Sequence, residues 1–272
     1  DLEVQRGLRV TPMDTGEITY LYLNLNLPKF QDRRVRQALL YALDRDALIF
    51  EALDGEATRA DSPLPPTSWA YSPSLTRYAT DANLASLLLD EAGWRIEADG
   101  VRRKEGVALG FTITVNPDPV RVAVAERMAA AWSRLGLLVS VSTVGVTELV
   151  RDRLEPREYE ATIWSRVPMP DPDPFEQWHS SQAVGEGANL TGFSEPRVDE
   201  ILEQARMASQ PRRKELYVEF QELFAQEVPA IPLYVSTAAY VQEAELQGVR
   251  VALLTEPGNR FWQVQEWFLR TR

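Results

Sequence analysis

Between residues 18 and 27 the chain alternates at every second position. Ile18, Tyr20, Tyr22 and Asn24 fall on one side and Thr19, Leu21, Leu23 and Leu25 on the other, which predicts a strand closed by Pro28. The period then changes. Val35, Leu39, Ala42 and Leu43 recur at helical spacing, Asp32 stands where an N-cap belongs, and one helix is expected to run to about Leu53. Arg33, Arg34, Arg36 and Gln37 lie mostly off its apolar face. Residues 54–79 follow no period. They hold Pro63, Pro65, Pro66 and Pro73 with Trp69, Tyr71 and Tyr78, and read as a long loop of the kind that is functional or wraps another surface.

Thr80 or Asp81 caps a helix with Leu84, Leu87, Leu88 and Ala92 inward, stopped by Gly93 in the left-handed conformation. Asp99-Gly100 reads as a hairpin turn. A strand at 108–115, a helix at 120–135 with Val124, Met128, Ala131 and Leu135 on one face, and a strand at 137–144 predict a βαβ unit with parallel strands. A short helix at 146–154 and a strand at 159–165 come next. Residues 166–190 are broken by prolines and glycines, helices are expected at 196–208 and 211–227, and a strand at 230–235 precedes two short strands between 239 and 254. The fold class is α/β.

Composition narrows the chemistry. The 272 residues are 44% hydrophobic and 25% charged, the proportions of a soluble globular chain. A net charge of −11 argues against a general nucleic-acid binder, which needs a basic surface to displace phosphate counterions. There is no cysteine, so disulfides, thiolate metal sites and cysteine nucleophiles are excluded; a single histidine, His179, excludes two-histidine metal sites. No metal or cofactor is expected. No apolar run approaches the length of a membrane span, and no leader pattern opens the sequence.

The wording of the capped helix is more specific than its period. FQDRRVRQALLYALDR, residues 30–45, resembles the F-x-D-x-R-V-R-Q-A-(L/I)-x-x-A-(L/I)-D-R signature of the family 5 extracellular solute-binding proteins, which deliver peptides, nickel chelates or oligosaccharides to ABC importers. Five further segments resemble that family in its own order: DANLASLLLDEAGW at 81–94, the helix and Leu135-Gly136 between Met128 and Val141, Trp164 to Ser181, Asn189 to Ile201, and Tyr217 to Tyr234. The resemblance implies a periplasmic binding protein-like architecture (type II, peptide-binding subclass): two α/β lobes with a ligand cleft between them. Family members usually run to about twice this length. The implied division is crossover strands from a missing first lobe at 1–29, the second lobe at 30–235, and a return segment toward the first lobe at 236–272, with the missing part upstream of Asp1.

The resemblance also places candidate ligand contacts. In the family the strand before Trp164 emerges into the cleft. Trp164 is then a stacking surface and Arg166 a planar fork for an anionic group; otherwise Trp164 is core and Arg166 solvated. Peptide-binding members carry an aspartate three residues after this tryptophan, paired with the peptide α-amino group. Here the position is Val167, which counts against free peptide N-termini unless Asp171 or Asp173 substitutes. Asp171, Asp173 and Glu176 lack the spacing of a calcium loop. As a glycosidase pair they have no independent support, and as turn and cap residues beside proline they fit well. Trp178 and His179 fall in the same segment, the histidine as ligand contact or hydrogen-bonded structural residue, and the Asn189 amide either fixes its loop or donates to a ligand. Trp69 and Tyr71 are better read as packing residues.

The function so implied is capture without chemistry: the substrate-binding component of an ABC importer, monomeric, periplasmic or extracellular, lipid-anchored in its precursor or free. Its partners are a peptide or other small solute, the permease subunits and the first lobe. The alternatives are a carboxylate-based hydrolase using the acidic cluster and a chemosensory binding domain of the same fold.

Overall fold

Strand alternation and helix amphipathicity combine here into three layers. The structure is a computed structural model that describes residues 7–167, 169, 171–250 and 257–269. Strand β1 (Leu8–Leu23) runs into a short helical turn α1 (Pro28–Gln31), then α2 (Arg33–Tyr41) and α3 (Arg45–Leu53). Strand β2 (Ala57–Arg59) and the proline-rich loop lead to α4 (Ala82–Glu91). A small antiparallel sheet of β3 (Arg95–Ile96), β4 (Arg102–Lys104) and β5 (Val107–Ala108) precedes β6 (Gly110–Val115), α5 (Pro119–Ser133) and β7 (Leu138–Thr143). After α6 (Val146–Glu148) and a wider helical turn over Leu149–Leu154 comes β8 (Ala161–Arg166). Helices α7 (Phe175–Trp178), α8 (Pro196–Met207) and α9 (Gln210–Glu227) and strands β9 (Ala230–Glu243), β10 (Leu246–Gln247) and β11 (Phe268–Leu269) complete the described chain.

The main sheet has the order β2-β9-β1-β8-β6-β7. β6 is parallel to β7 and to β8, whereas β1 is antiparallel to both β8 and β9. Alternation on β1 serves two cores. Leu21 and Leu23 join Ile113, Ile163 and Leu233 beneath Val35 and Leu39 of α2 and Val124, Met128 and Trp132 of α5. Ile18, Tyr20 and Tyr22 face the opposite way, onto Val198 and Ile201 of α8 and Phe220 and Phe224 of α9. A sheet covered on both faces explains why apolar residues occupy both phases of the alternation. The Trp132 indole N–H donates to the Leu39 carbonyl at 2.9 Å and locks α5 onto α2.

Several sequence expectations shift in the structure. The strand expected at 18–27 begins ten residues earlier and ends at Leu23. The helix expected from Asp32 to Leu53 is two helices. Asp32 caps the first by accepting from Arg34 N, but Asp44 adopts an extended backbone and its carboxylate accepts from Ala47 N, capping a second helix. A short acidic side chain that bonds its own backbone competes with helix continuation in this way. Arg36 is buried at 3% exposure rather than turned outward. Its guanidinium donates to the carbonyls of Phe30, Gln31, Glu227 and Val228, joining the first helical turn to the end of α9. Those terminal carbonyls lack helical partners of their own. Burial lowers the Arg36 pKa from the ordinary arginine value to about 10.

On α4, Asp81 is the cap. Ala85, Leu89 and Ala92 are the buried residues and Leu87 is 52% exposed, so the inward face is turned by one residue from the expected one. Ala85 and Leu89 join the core that α2 also faces. Gly93 and Gly136 do take the left-handed conformation past their helices, and 97–101 closes the β3–β4 hairpin. Of the two short strands expected between 239 and 254, the first region continues β9 to Glu243 and the second is β10; residues 251–254 lie outside the described residues.

Candidate functional site

Three parallel strands end on one edge of the sheet, at Val115 of β6, Thr143 of β7 and Arg166 of β8. In open α/β sheets ligands bind outside such carboxyl ends. β8 extends further than its neighbour: β6 pairs with it at Ala161 and Thr162, while β1 stays paired with it through Arg166. Trp164, Ser165 and Arg166 therefore stand at the rim with a strand on one side only.

A polar lattice is built around this rim. Asp118 caps α5 by accepting from Arg121 N at 2.9 Å, and Pro119 fills the first helical position, where its missing N–H costs nothing. The cap places the Arg121 guanidinium back over the edge. It donates to Asn116 Oδ1 at 2.7 Å and Ser165 Oγ at 3.2 Å, and its centre lies 5.1 Å from the Trp164 ring. Ser165 Oγ in turn hydrogen-bonds Thr19 Oγ1 at 2.9 Å. Burial raises the Tyr234 phenol above the usual tyrosine value, while its hydrogen bond to Thr19 and the Arg121 charge oppose the rise.

Arg166 points to the other face. Its Nε is buried, as are the Tyr22 hydroxyl and the Trp178 indole nitrogen, and none of the three makes a well-aligned hydrogen bond, although the guanidinium lies within hydrogen-bonding range of the Tyr22 phenol. The guanidinium lies close enough to Tyr20 and Tyr22 to oppose the upward pull that burial exerts on both phenols. Trp178 is fully buried beneath them, edge-on to Phe224 and Tyr20 and stacked on Tyr22.

The remaining expected residues lie apart from the rim. Asp171 is held by Arg213 of α9 at 2.9 Å, and Asp173 by Arg206 of α8 while it also accepts from Phe175 N. Glu176 is exposed. His179 is buried. Its Nδ1 accepts from Ser181 N at 3.1 Å, which puts the proton of the neutral ring on Nε2, facing Glu203 at 3.4 Å; the ring stacks on Phe175. Asn189 is buried with its amide spent inside its loop: it donates to the carbonyls of His179 and Phe193 and accepts from Gly192 N and Thr191 Oγ1. Trp69 tilts against Tyr217 beneath the Arg213 guanidinium, consistent with packing. The structure thus brings Trp164 and Arg166 together at the rim, sets Trp178 below them, and places Asp171, Asp173, His179 and Asn189 in the segment behind. Thr19, Asn116, Arg121 and Ser165 were not singled out by sequence. Only the Asp118-Pro119 cap, which fixes where Arg121 points, signals them. Among the described residues no group of three His, Asp or Glu side chains is arranged to hold a metal, and no helix is long and apolar enough to cross a membrane.

Comparison with known proteins gives consistent results. The sequence model described as bacterial extracellular solute-binding proteins, family 5 middle, matches residues 1–186. The oligopeptide-binding protein AppA of Bacillus subtilis is 26% identical over 93% of this chain and 47% of its own length. Its structure in complex with a nonapeptide superposes with a TM-score of 0.83 at 25% identity, over 99% of this chain and 54% of that one. Heme-binding protein A of Haemophilus influenzae is 31% identical over 84% of this chain and 40% of its own. NikZ of Campylobacter jejuni, in complex with Ni(L-His), superposes with a TM-score of 0.82 at 26% identity, over 98% of this chain and 54% of that one. The chain spans about half the length of the curated relatives it matches.

Proposed function

The chain belongs to the bacterial extracellular solute-binding proteins of family 5, and from that premise we propose that it forms one wall of a solute-capturing cleft in the binding component of an ABC importer. The observation that carries this reading is the rim of β8, where Trp164 and Arg166 pass the last β6 partner on the edge where ligands of α/β sheets bind. The solute lies against this rim, and a second lobe closes over it about a hinge. Closure withdraws the solute from water and presents the closed form to the membrane permease. In this reading β1 and β9 carry the chain between lobes, residues 30–235 form the lobe described above, and the protein acts as a monomer outside the cytoplasmic membrane, free or lipid-anchored. The solute class is that of the relatives: a peptide, a metal chelate or heme.

Capture is favoured over hydrolysis by the acidic segment. Asp171 and Asp173 are each engaged by a separate arginine, an arrangement that serves to fix the loop on α8 and α9 rather than to offer two free carboxyl groups to a glycosidic bond. The test is a thermal-shift screen of the full-length protein carrying this chain against peptides, nickel–histidine and heme. One class should raise the melting temperature progressively with concentration, by mass action, and Trp164→Ala, referred to its own unliganded melting temperature, should weaken that response. A flat response to all three classes, or turnover of a glycoside panel lost in Asp173→Asn, contradicts the reading.

A further inference from the structure

The two ends of the main sheet are protected unequally. At one end β2 is three residues long and closes on Arg59, which pairs with Asp46 and Asp61. The outer part of β1 carries Arg9, Pro12 and Asp14, and the strands of the two small sheets are two or three residues long. Short strands, charges and proline are the usual means by which a free strand edge is kept from pairing with another chain. The other end of the main sheet is β7, whose six residues read LVSVST. It has no charge and no proline, and its register against β6 is unbroken from Leu138 to Thr143.

The backbone groups of β7 divide by parity. Leu138 N donates to the Leu109 carbonyl at 2.9 Å and Val144 N to the Val115 carbonyl at 3.0 Å, so the even-numbered residues face β6. Successive residues of a strand turn their N–H and C=O groups to opposite sides. Val139, Val141 and Thr143 therefore present theirs outward, where no strand lies among the described residues. Val139 and Val141 are half-buried against the core that α5 covers. Leu138, Ser140 and Ser142 are exposed on the opposite face, where Ser140 Oγ bonds Thr112 Oγ1 at 3.0 Å. A groove lined by Val101, Ser133, Gly136, Leu138 and Ser140 lies open beside the first half of the strand.

The free groups and the charge define what fits. Main-chain donors and acceptors in a row are matched by an extended backbone, and not by a helix, which uses its own internally. An edge without charge offers no counter-ion to a charged strand. A second copy would bring a further −11 to the contact, and net charge of that size works against self-association, whereas a neutral or basic protein meets no such opposition.

We propose that β7 is an interaction edge, which takes up an extended, uncharged segment of another protein as a seventh strand beside the six of the main sheet. The added strand runs antiparallel to β7, the more stable arrangement per residue, and hydrogen-bonds Val139, Val141 and Thr143. β6 lies between this edge and β8, and the pairing needs no solute at the rim.

The test uses the full-length protein carrying this chain, with a blocked peptide of alternating valine and threonine as the probe. N-methylation at every second residue leaves the probe one pairing edge and keeps it from stacking on itself; N-methylation throughout removes both edges. In calorimetry the first form should bind about 10- to 100-fold more tightly than the second, the range expected for one or two hydrogen bonds lost. Hydrogen exchange should show added protection in the peptide covering 138–144. Val141→Pro removes an outward N–H and no bond to β6, and should weaken the first form by about 10-fold or more. Ser142→Lys, at an exposed position, should weaken it similarly by placing a charge on the edge, and decides the matter where the proline variant does not fold. Equal binding of the two forms, or unchanged exchange over 138–144, overturns the proposal. A dimer of the protein alone in sedimentation, lost in Ser142→Lys, gives the edge to a second copy and overturns the partner assigned here.

Discussion

Strands β1 and β9 are each made of two halves that live in different surroundings. The inner halves, from Ile18 to Leu23 and Ala230 to Val235, are buried on both faces and supply residues to both cores. The outer halves, from Leu8 to Asp14 and Thr237 to Glu243, pair with each other but are largely exposed or half-buried, with Pro12 on a strand edge that needs no donor. A two-stranded ribbon of this kind is marginally stable alone. Between the halves the register shifts: Thr15, Gly16 and Glu17 stand against Ser236 alone, Gly16 takes φ +73°, and Thr15 Oγ1 ties the bulge to the Ser236 carbonyl at 2.9 Å. A bulge bends and twists its strand. The same two strands are thus core strands of the main sheet and, past the bulge, a two-stranded ribbon with little burial. The rim carrying Trp164 and Arg166 lies at the junction, because Arg166 pairs with Ile18.

The contrast between halves is open to direct attack. Leu21→Ala empties a fully buried site between β1 and the helices above, and should destabilise by about 2–5 kcal/mol in urea unfolding. Val241→Ala in the outer half should stay within about 0.5 kcal/mol. Comparable losses at the two positions would break the distinction.

Alkaline pH probes the inner half next. Burial raises the phenols of Tyr20, Tyr22 and Tyr234 above their unfolded value. The folded state then holds protons that the unfolded chain releases, so stability is full below about pH 10, the unfolded tyrosine value, and declines as pH rises from there toward the folded values. The urea midpoint should fall over that window, and Tyr20→Phe should flatten the decline. A midpoint independent of pH across it would contradict the burial assigned to these rings. A modest, local effect is expected at the junction. Gly16→Ala forces a side chain into the left-handed region and should cost about 1 kcal/mol, with the bulge signals rather than the cores perturbed in a spectrum.

How much of this was legible beforehand depends on what each residue does. The family signature reads clearly because its residues are structural. Arg36 closes the end of α9, Arg45 donates to the carbonyls of Ala60 and Pro232 and pairs with Asp61, and Gln221 pins the proline-rich loop through Ser62, Ser72 and Ala70. Each serves a fixed backbone geometry, so the same letters recur at the same spacing. Strand and helix periods were equally readable where one face is buried. The break at Asp44 and the bulge at Gly16 were not, because both turn on one side chain or one φ angle competing with a regular pattern. The rim was half legible. Trp164 and Arg166 stand together in the sequence, but Thr19, Asn116, Arg121 and Ser165 come from three other places in the chain and one unremarkable serine, and meet only through sheet order and the α5 cap.

The central claim is that a solute is captured at the carboxyl edge of β8. Hydrogen exchange of the full-length protein, read by mass spectrometry with and without a stabilising solute, addresses it most directly. The account predicts added protection in the peptides covering 115–122 and 163–167, with helix α3 unchanged. Protection gained elsewhere on this lobe, with both of those segments exchanging as before, would contradict it.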